Sequence, residues 1–300
     1  TQRPRPESSG TSLLSSQFLR KLEQAAIASK HILVGRTKVE RRSARRGSSV
    51  EFADFRAYNP GDDLRYLDWN AFARLQRLFL KLFMEEEDLY VYLLLDASRS
   101  MDFGDPPKHR WAQQAAAALG YIALCGGDRV QVFAHSGGDG AVSRLFRGRG
   151  CATELLGWLA ERSAAGKTSL TQAVRWHRAI APAPGLTFLI SDLLAADWEA
   201  ALSQLAVGKG ESCVLQVLSP EEFSPSARGD LRLIDSETDD DREVTMGASV
   251  LRRYAQERDR FLADVRASCN RYGFSYLFSL TEQPVEDVIL KSLRRLRVIR

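Results

Sequence analysis

An α/β fold with a doubly wound, mostly parallel sheet is the architecture this 300-residue sequence predicts, and three observations carry it. From Leu89 onward, short apolar runs alternate with longer stretches of helical periodicity, the order expected of strands joined by crossover helices. The runs Leu89 to Leu95 and Leu186 to Ile190 are apolar at nearly every position, as strands covered on both faces must be. Each is followed directly by oxygen-bearing side chains: Asp96, Ser98 and Ser100 after the first, Ser191 and Asp192 after the second. Open α/β sheets bind ligands at such strand ends, in the crevice where strand order reverses.

Residues Thr1 to Ser12, rich in Pro, Ser and Arg, read as a tail; Leu14, Phe18, Leu22 and Ala25 then recur at helical spacing, predicting a helix to about Ser29. The basic segment that follows sets Arg36, Lys38, Arg41, Arg42, Arg45 and Arg46 against the single acid Glu40. It reads either as a solvated loop or as a surface for an acidic partner or nucleic acid. It has no aromatic side chain for stacking on bases, so nucleic acid is not expected. Val50 to Tyr58 reads as a strand, Asn59-Pro60-Gly61-Asp62 as a turn, Leu64 to Trp69 as a short extended piece and Arg77 to Met84 as a further strand. Crossover helices do not fit between these strands, so residues 49–88 predict a small antiparallel β unit. Residues 1–48 form an N-terminal segment before it, and 89–300 the α/β domain.

Within that domain, His109 to Cys125 reads as a helix stopped by Gly126-Gly127, Arg129 to Phe133 as a strand and Val142 to Phe146 as its hairpin partner. Helices around Leu155 to Leu159 and Leu170 to Ile180 precede the Leu186 strand, with Pro182 and Pro184 ending the second. A helix from Trp198 to Leu205 and a strand from Cys213 to Leu218 come next. Leu231 to Asp235 and Glu243 to Met246 flank the acidic turn Asp235 to Asp241 as an inserted hairpin. A long helix, about Val250 to Tyr272, presents Tyr254, Phe261, Val265 and Cys269 on one side, and Phe274 to Leu280 closes the sheet.

Hydrophobic content of 44% and charged content of 27% are those of a globular protein, and the net charge of +4 is gathered in local patches. No run approaches the ~20 apolar residues needed for a membrane span, and the polar N-terminus lacks the apolar core of a signal peptide. Cys125, Cys151, Cys213 and Cys269 form no CxxC pair and lie beside apolar segments, as reduced thiols do. A cytoplasmic location is the expectation.

If the Leu89 and Leu186 strands are neighbours, the loops after them open on one crevice. Thr168, in Gly166-Lys167-Thr168 ahead of a helix, adds a third loop at the same edge. Asp96, Ser98, Ser100, Thr168 and Asp192 are hard oxygen donors, suited together to Mg²⁺ or Mn²⁺, although any one of them alone could simply cap a helix. Few protein carboxylates leave such an ion residual charge and an exchangeable position, which an acidic side chain of another protein can take.

Asp96-x-Ser98-x-Ser100, then Thr168, then Asp192, at these element ends, resembles the metal-ion-dependent adhesion site of von Willebrand factor type A domains, over about Leu89 to Leu280. The resemblance implies protein–protein contact through the ion and no catalysis. A second pattern runs Phe52-Ala53-Asp54-Phe55-Arg56-x-Tyr58-x-Pro60-Gly61-Asp62-Asp63-x-Arg65-x-x-Asp68-Trp69-x-x-x-Ala73-Arg74. It is similar to the signature of the Domain of Unknown Function 58 family, which joins such a segment to a von Willebrand A-like domain. That resemblance implies a partner of the MoxR type of AAA+ ATPase, or its client, in chaperone-like assembly or metal insertion. Many relatives begin with membrane helices; this sequence shows none. Read from its residues, the signature is either a turn packed by Tyr58 and Trp69 and stitched by arginine–carboxylate forks, or a docking surface.

Other chemistry finds less support. Asp62 and Asp63 have no accompanying His or Cys, and His31, His109, His135 and His177 are scattered without a metal or triad spacing. Gly166-Lys167-Thr168 ends like a phosphate-binding loop, but Glu161 stands where the upstream glycine belongs. Ser98 lacks a base to make it a nucleophile. A Mg²⁺-dependent hydrolase or phosphoryl-transfer enzyme using the same five residues is the alternative, and binding of anionic surfaces or nucleic acid through the basic segment is a further one.

Overall fold

The structure is a computed structural model that describes residues 13–23, 51–60, 64–84, 89–136, 140–167, 169–208, 210–225, 229–234 and 241–292. Among them are two compact units, residues 51–84 and residues 13–23 with 89–292. The basic segment Arg36 to Arg46 and all but the last residue of the acidic turn, Asp241, lie outside the described residues.

In the smaller unit, β1 (Glu51–Ala57) pairs antiparallel with β2 (Phe79–Met84), with a bulge between Phe52 and Asp54. Leu64 to Trp69 is not the extended piece its sequence predicts: residues Leu64–Tyr66 form a single 3₁₀ turn, and Leu67 makes an isolated bridge to Leu80. A helix that went unrecognised, α2 (Trp69–Leu75), follows. Its signal is the Asp68 carboxylate, which accepts from Asn70 N at 2.8 Å and Ala71 N at 3.0 Å and so satisfies two of the free amides of the first turn.

The larger unit is a seven-stranded sheet with helices on both faces. Its strands are β3 (Tyr90–Asp96), β4 (Arg129–His135), the two-residue pieces β5 (Ala141–Val142) and β6 (Phe146–Arg147), β7 (Leu186–Ser191), β8 (Glu211–Leu218) and, past a separate hairpin, β11 (Ser275–Leu280). The order is β11-β8-β7-β3-β4-β5, with β6 also on β4; the core strands run parallel, and only β5 and β6 are antiparallel. The hairpin is β9 (Gly229–Ile234) with β10 (Asp241–Met246), as its sequence predicts.

Strand periodicity of two divides the core. Val91, Leu93 and Leu95 of β3 join Phe188, Ile190, Leu215 and Val217 on one face, under α3 (Lys108–Gly126) and α4 (Ala152–Ala160). Tyr92, Leu94, Leu189 and Val214 point to the other, under α5 (Leu170–Ile180), α6 (Trp198–Ala206) and α8 (Ala248–Arg271). Helix α3 is buried on nearly all sides and stops at Gly127, whose φ of +88° takes the left-handed conformation of a helix end. The helix of residues 16–23, α1, which the sequence reading set within the N-terminal segment, buries Phe18 and Leu22 in the α3 side of this core.

Chain order around β3 sets the position of the crevice. The path leaves β3 for β4 on one side and returns through α4 and α5 to β7 on the other, so β3 and β7 flank the reversal point.

On the opposite face, His177 of α5 is buried with its ring 4.8 Å from Tyr92 and 4.9 Å from Phe133. Burial first, and then Arg178, push its pKa from 6.5 down to about 4. The unfolded chain takes up this proton at higher pH than the folded one. The folded state is therefore favoured fully above the unfolded value and loses stability as pH falls toward about 4. His177→Phe, which keeps an aromatic ring in place, is expected to flatten this part of the decline in urea-denaturation experiments between pH 6.5 and 4. A variant profile parallel to that of wild type would contradict it.

Candidate metal centre

The β3 loop is shaped by its own carboxylate. Asp96, at the strand's last position, accepts from Ser98 N at 3.0 Å through Oδ1, which folds the chain back so that Ser98 and Ser100 lie on one side with their hydroxyls 3.0 Å apart. Met101, fully buried, anchors the following turn. The β7 loop mirrors this: Asp192 Oδ1 accepts from Leu194 N at 3.0 Å, and Leu193 turns the chain at a φ of +60°. A leucine rarely adopts that conformation. Its fully buried side chain and its N–H, bonded to Ser191 Oγ at 2.9 Å, hold it there.

The two loops meet. Ser191 Oγ donates to Asp96 Oδ2 at 2.6 Å, and Ser100 Oγ to Asp192 Oδ2 at 3.3 Å. The third loop is tied to the first by backbone: Arg99 N to Gly166 O at 2.9 Å and Ala165 N to Ala97 O at 2.8 Å. Asp197, beyond the β7 loop, accepts from Ser169 Oγ at 2.6 Å and Thr171 N at 3.0 Å at the start of α5. Thr168 itself lies outside the described residues. Asp96, Ser98, Ser100 and Asp192 are thus brought together as the sequence predicts.

Electrostatics in this crevice are demanding. Asp96 and Asp192 are buried, and burial first, with the charge of Asp192 next, raises the Asp96 pKa to about 6 against the opposing hydrogen bonds from Ser191 and Ser98. A positive charge is called for, and one is present. Lys108, wholly buried, places Nζ 2.7 Å from Asp192 Oδ2 and bonds Glu222 as well. Burial pushes its pKa down, but Asp192 and Glu222 more than reverse this and raise it, so it stays an ammonium. Glu222 belongs to a capping box with Ser219 at the start of α7 (Pro220–Phe223), and Gln216 donates to the Asp192 carbonyl at 2.9 Å.

Lys108, Glu222, Gln216 and Asp197 were missed by sequence reasoning. Ser219-x-x-Glu222 carries a legible capping-box signal. A lysine at the first turn of a helix, where the backbone dipole disfavours cations, is a weaker hint. Nothing in the sequence shows that Gln216 or Asp197 reaches these loops.

The donors fit a hard divalent cation in kind: two hydroxyls and two carboxylates, all oxygen. Among the described residues no three of His, Cys, Asp and Glu cluster as metal ligands, so hydroxyls are needed to complete any coordination here.

The signature residues of the smaller unit are placed less uniformly. Asp68 is the buried helix cap already described, while Trp69 is 65% exposed and meets the Phe72 ring edge-on. That exposure corrects the expectation of a turn packed by Trp69. Tyr58 is half-buried and its N–H bonds Leu78 O; Pro60, Arg65 and Arg74 are exposed. Gly61, Asp62 and Asp63 lie outside the described residues, as does the side chain of Arg56.

Ser191→Ala removes the short hydrogen bond to the buried Asp96 carboxylate and is expected to cost about 2 kcal/mol in chemical denaturation, the value of a bond to a charged group. A loss under about 0.5 kcal/mol would contradict the role given to Ser191.

Among solved structures the chain is similar to the conserved hypothetical protein BatB of Bacteroides thetaiotaomicron (TM-score 0.42, 16% identity, 70% of this chain and 99% of that one). It is also similar to the SpRpn10 VWA domain (TM-score 0.38, 10% identity, 68% and 94%). In sequence it is 27% identical over 243 residues to the uncharacterized proteins Rv1480 of Mycobacterium tuberculosis and Mb1516 of Mycobacterium bovis, covering 79% of this chain and 76% of each of those. The model of the family described as "Protein of unknown function DUF58" matches residues 54–262, and the chain belongs to that family.

Proposed function

We propose that this protein is a non-enzymatic interaction module that docks an acidic side chain of a partner protein through a divalent cation held by Asp96, Ser98, Ser100, Asp192 and Thr168. The observation that carries the reading is the meeting of the β3 and β7 loops, where two hydroxyls and two buried carboxylates converge and Ser100 Oγ lies 3.3 Å from Asp192 Oδ2. Bound there, Mg²⁺ or Mn²⁺ would supply a Lewis-acidic position open to a carboxylate oxygen.

The protein's own residues do the rest. Ser191 and the backbone of Ser98 fix the Asp96 carboxylate, and Leu194 N and Gln216 fix Asp192, so the donors are held before any partner arrives. Such preorganisation lowers the entropic cost of docking. The partner best supported by the family resemblance is a MoxR-type AAA+ ATPase or its client, in chaperone-like assembly or metal insertion. No helix among the described residues is long and apolar enough to cross a membrane. The free thiols Cys125, Cys151, Cys213 and Cys269 fit a reducing, cytoplasmic setting. Lys108 is held as an ammonium by two carboxylates, so it is not the base that an enzymatic role for the same ligands would use.

Calorimetric titration with Mg²⁺ is expected to give saturable binding to wild type and none to Asp96→Ala; equal responses would remove the metal site from the reading. Capture of the ATPase or its client is expected to be lost in chelator, and capture indifferent to chelator would contradict cation-mediated docking. Turnover of a phosphate ester abolished by Asp192→Ala would favour the enzyme alternative.

A further inference from the structure

Lys108 opens helix α3 at 0% exposure, a costly place for a cation because the helix N-terminus is itself positive. Two carboxylates offset that cost, and they differ in kind. Glu222 belongs to a fixed platform: Ser219 holds it in a capping box, Tyr254 and Arg258 of α8 donate to the Glu222 and Phe223 carbonyls, and the Arg258 guanidinium lies 4.2 Å over the Phe223 ring. Asp192 instead belongs to the candidate metal centre, and the oxygen that takes the ammonium, Oδ2, is the one Ser100 Oγ faces.

We propose that Lys108 is a built-in counter-ion that competes with the divalent cation for Asp192 and so holds down the cation affinity of the free protein. The inference rests on the reading of the crevice as a divalent-cation site. Binding of the cation requires Asp192 to exchange the ammonium for the metal, and Glu222 then retains the ammonium on the α7 platform. Because Lys108 is buried, salt screens its repulsion of an incoming cation only weakly. Removing the charge therefore tightens cation binding, whereas removing Glu222 leaves Asp192 as the ammonium's main partner and weakens it.

The test is Mn²⁺ binding by water-proton relaxation, with Mg²⁺ as competitor, on the full chain as wild type, Lys108→Met, Lys108→Gln, Glu222→Gln and Asp96→Ala, each checked for folding by circular dichroism. The expected result is affinity raised about tenfold or more in both Lys108 variants, since one unit charge at this range outweighs a decade of affinity. Glu222→Gln is expected to bind more weakly and Asp96→Ala not at all. If wild type binds and Asp96→Ala does not, but the Lys108 variants are unchanged or weaker, the counter-ion role is overturned and the metal site stands. Binding by the Lys108 variants alone would uphold the role and overturn the metal-loaded reading of the wild type. Absence of binding in every folded variant would overturn both. Should neither Lys108 variant fold, Glu222→Asp decides, because it keeps the negative charge but shortens its reach to the ammonium: weaker Mn²⁺ binding supports the role, and unchanged or tighter binding overturns it.

Discussion

Two carboxylates buried side by side at the ends of adjacent parallel strands are the constraint on which the upper edge of this protein depends. Asp96 and Asp192 are each almost inaccessible to water, and a pair of like charges in such a place cannot persist without compensation. The structure answers with Ser98 and Leu194 amides, the Ser191 hydroxyl and the Lys108 ammonium. Each answer fixes a piece of backbone: the β3 loop, the strained turn at Leu193, the start of α3, and, through Glu222, the β8–α7 connection. The same network that makes the carboxylates tolerable also makes the loops rigid.

That arrangement separates a polar crevice at the strand ends from the apolar sheet beneath. The core strands pack apolar side chains on both faces, and Asp96, Ser191 and Asp192 gather at the C-terminal edge, where α/β sheets present their ligands. A doubly wound sheet supports many activities, so the fold alone decides little. What narrows the reading is the donor chemistry: oxygen groups from separate loops, held before any ligand arrives, with a buried ammonium of the protein's own already bonded to one of them.

Much of this was legible in the amino-acid sequence. The unbroken apolar runs of β3 and β7 reveal strands buried on both faces, and their flanking Asp and Ser residues mark the strand ends, because period and composition are local properties. Lys108 and Asp197 were not legible, since their partners lie 84 and 28 residues away and only the tertiary path brings them together. Residues 64–75 show a different limit. Apolar and charged residues there fit an extended piece as well as a helix, and the decisive cue, an aspartate cap at Asp68, sits within a stretch already claimed as strand. Trp69 was expected to pack its turn because aromatics usually do, yet the helix it begins turns it outward.

Whether the converging oxygen groups hold a cation can be read from a crystal of the wild-type protein grown with Mn²⁺ and measured at the manganese absorption edge. An anomalous peak is expected about 2.2 Å from the Ser98 and Ser100 hydroxyls, within reach of the Asp192 carboxylate, as in oxygen coordination of a small divalent ion. A peak elsewhere, or a crevice without one while Lys108 still holds Asp192, would contradict it.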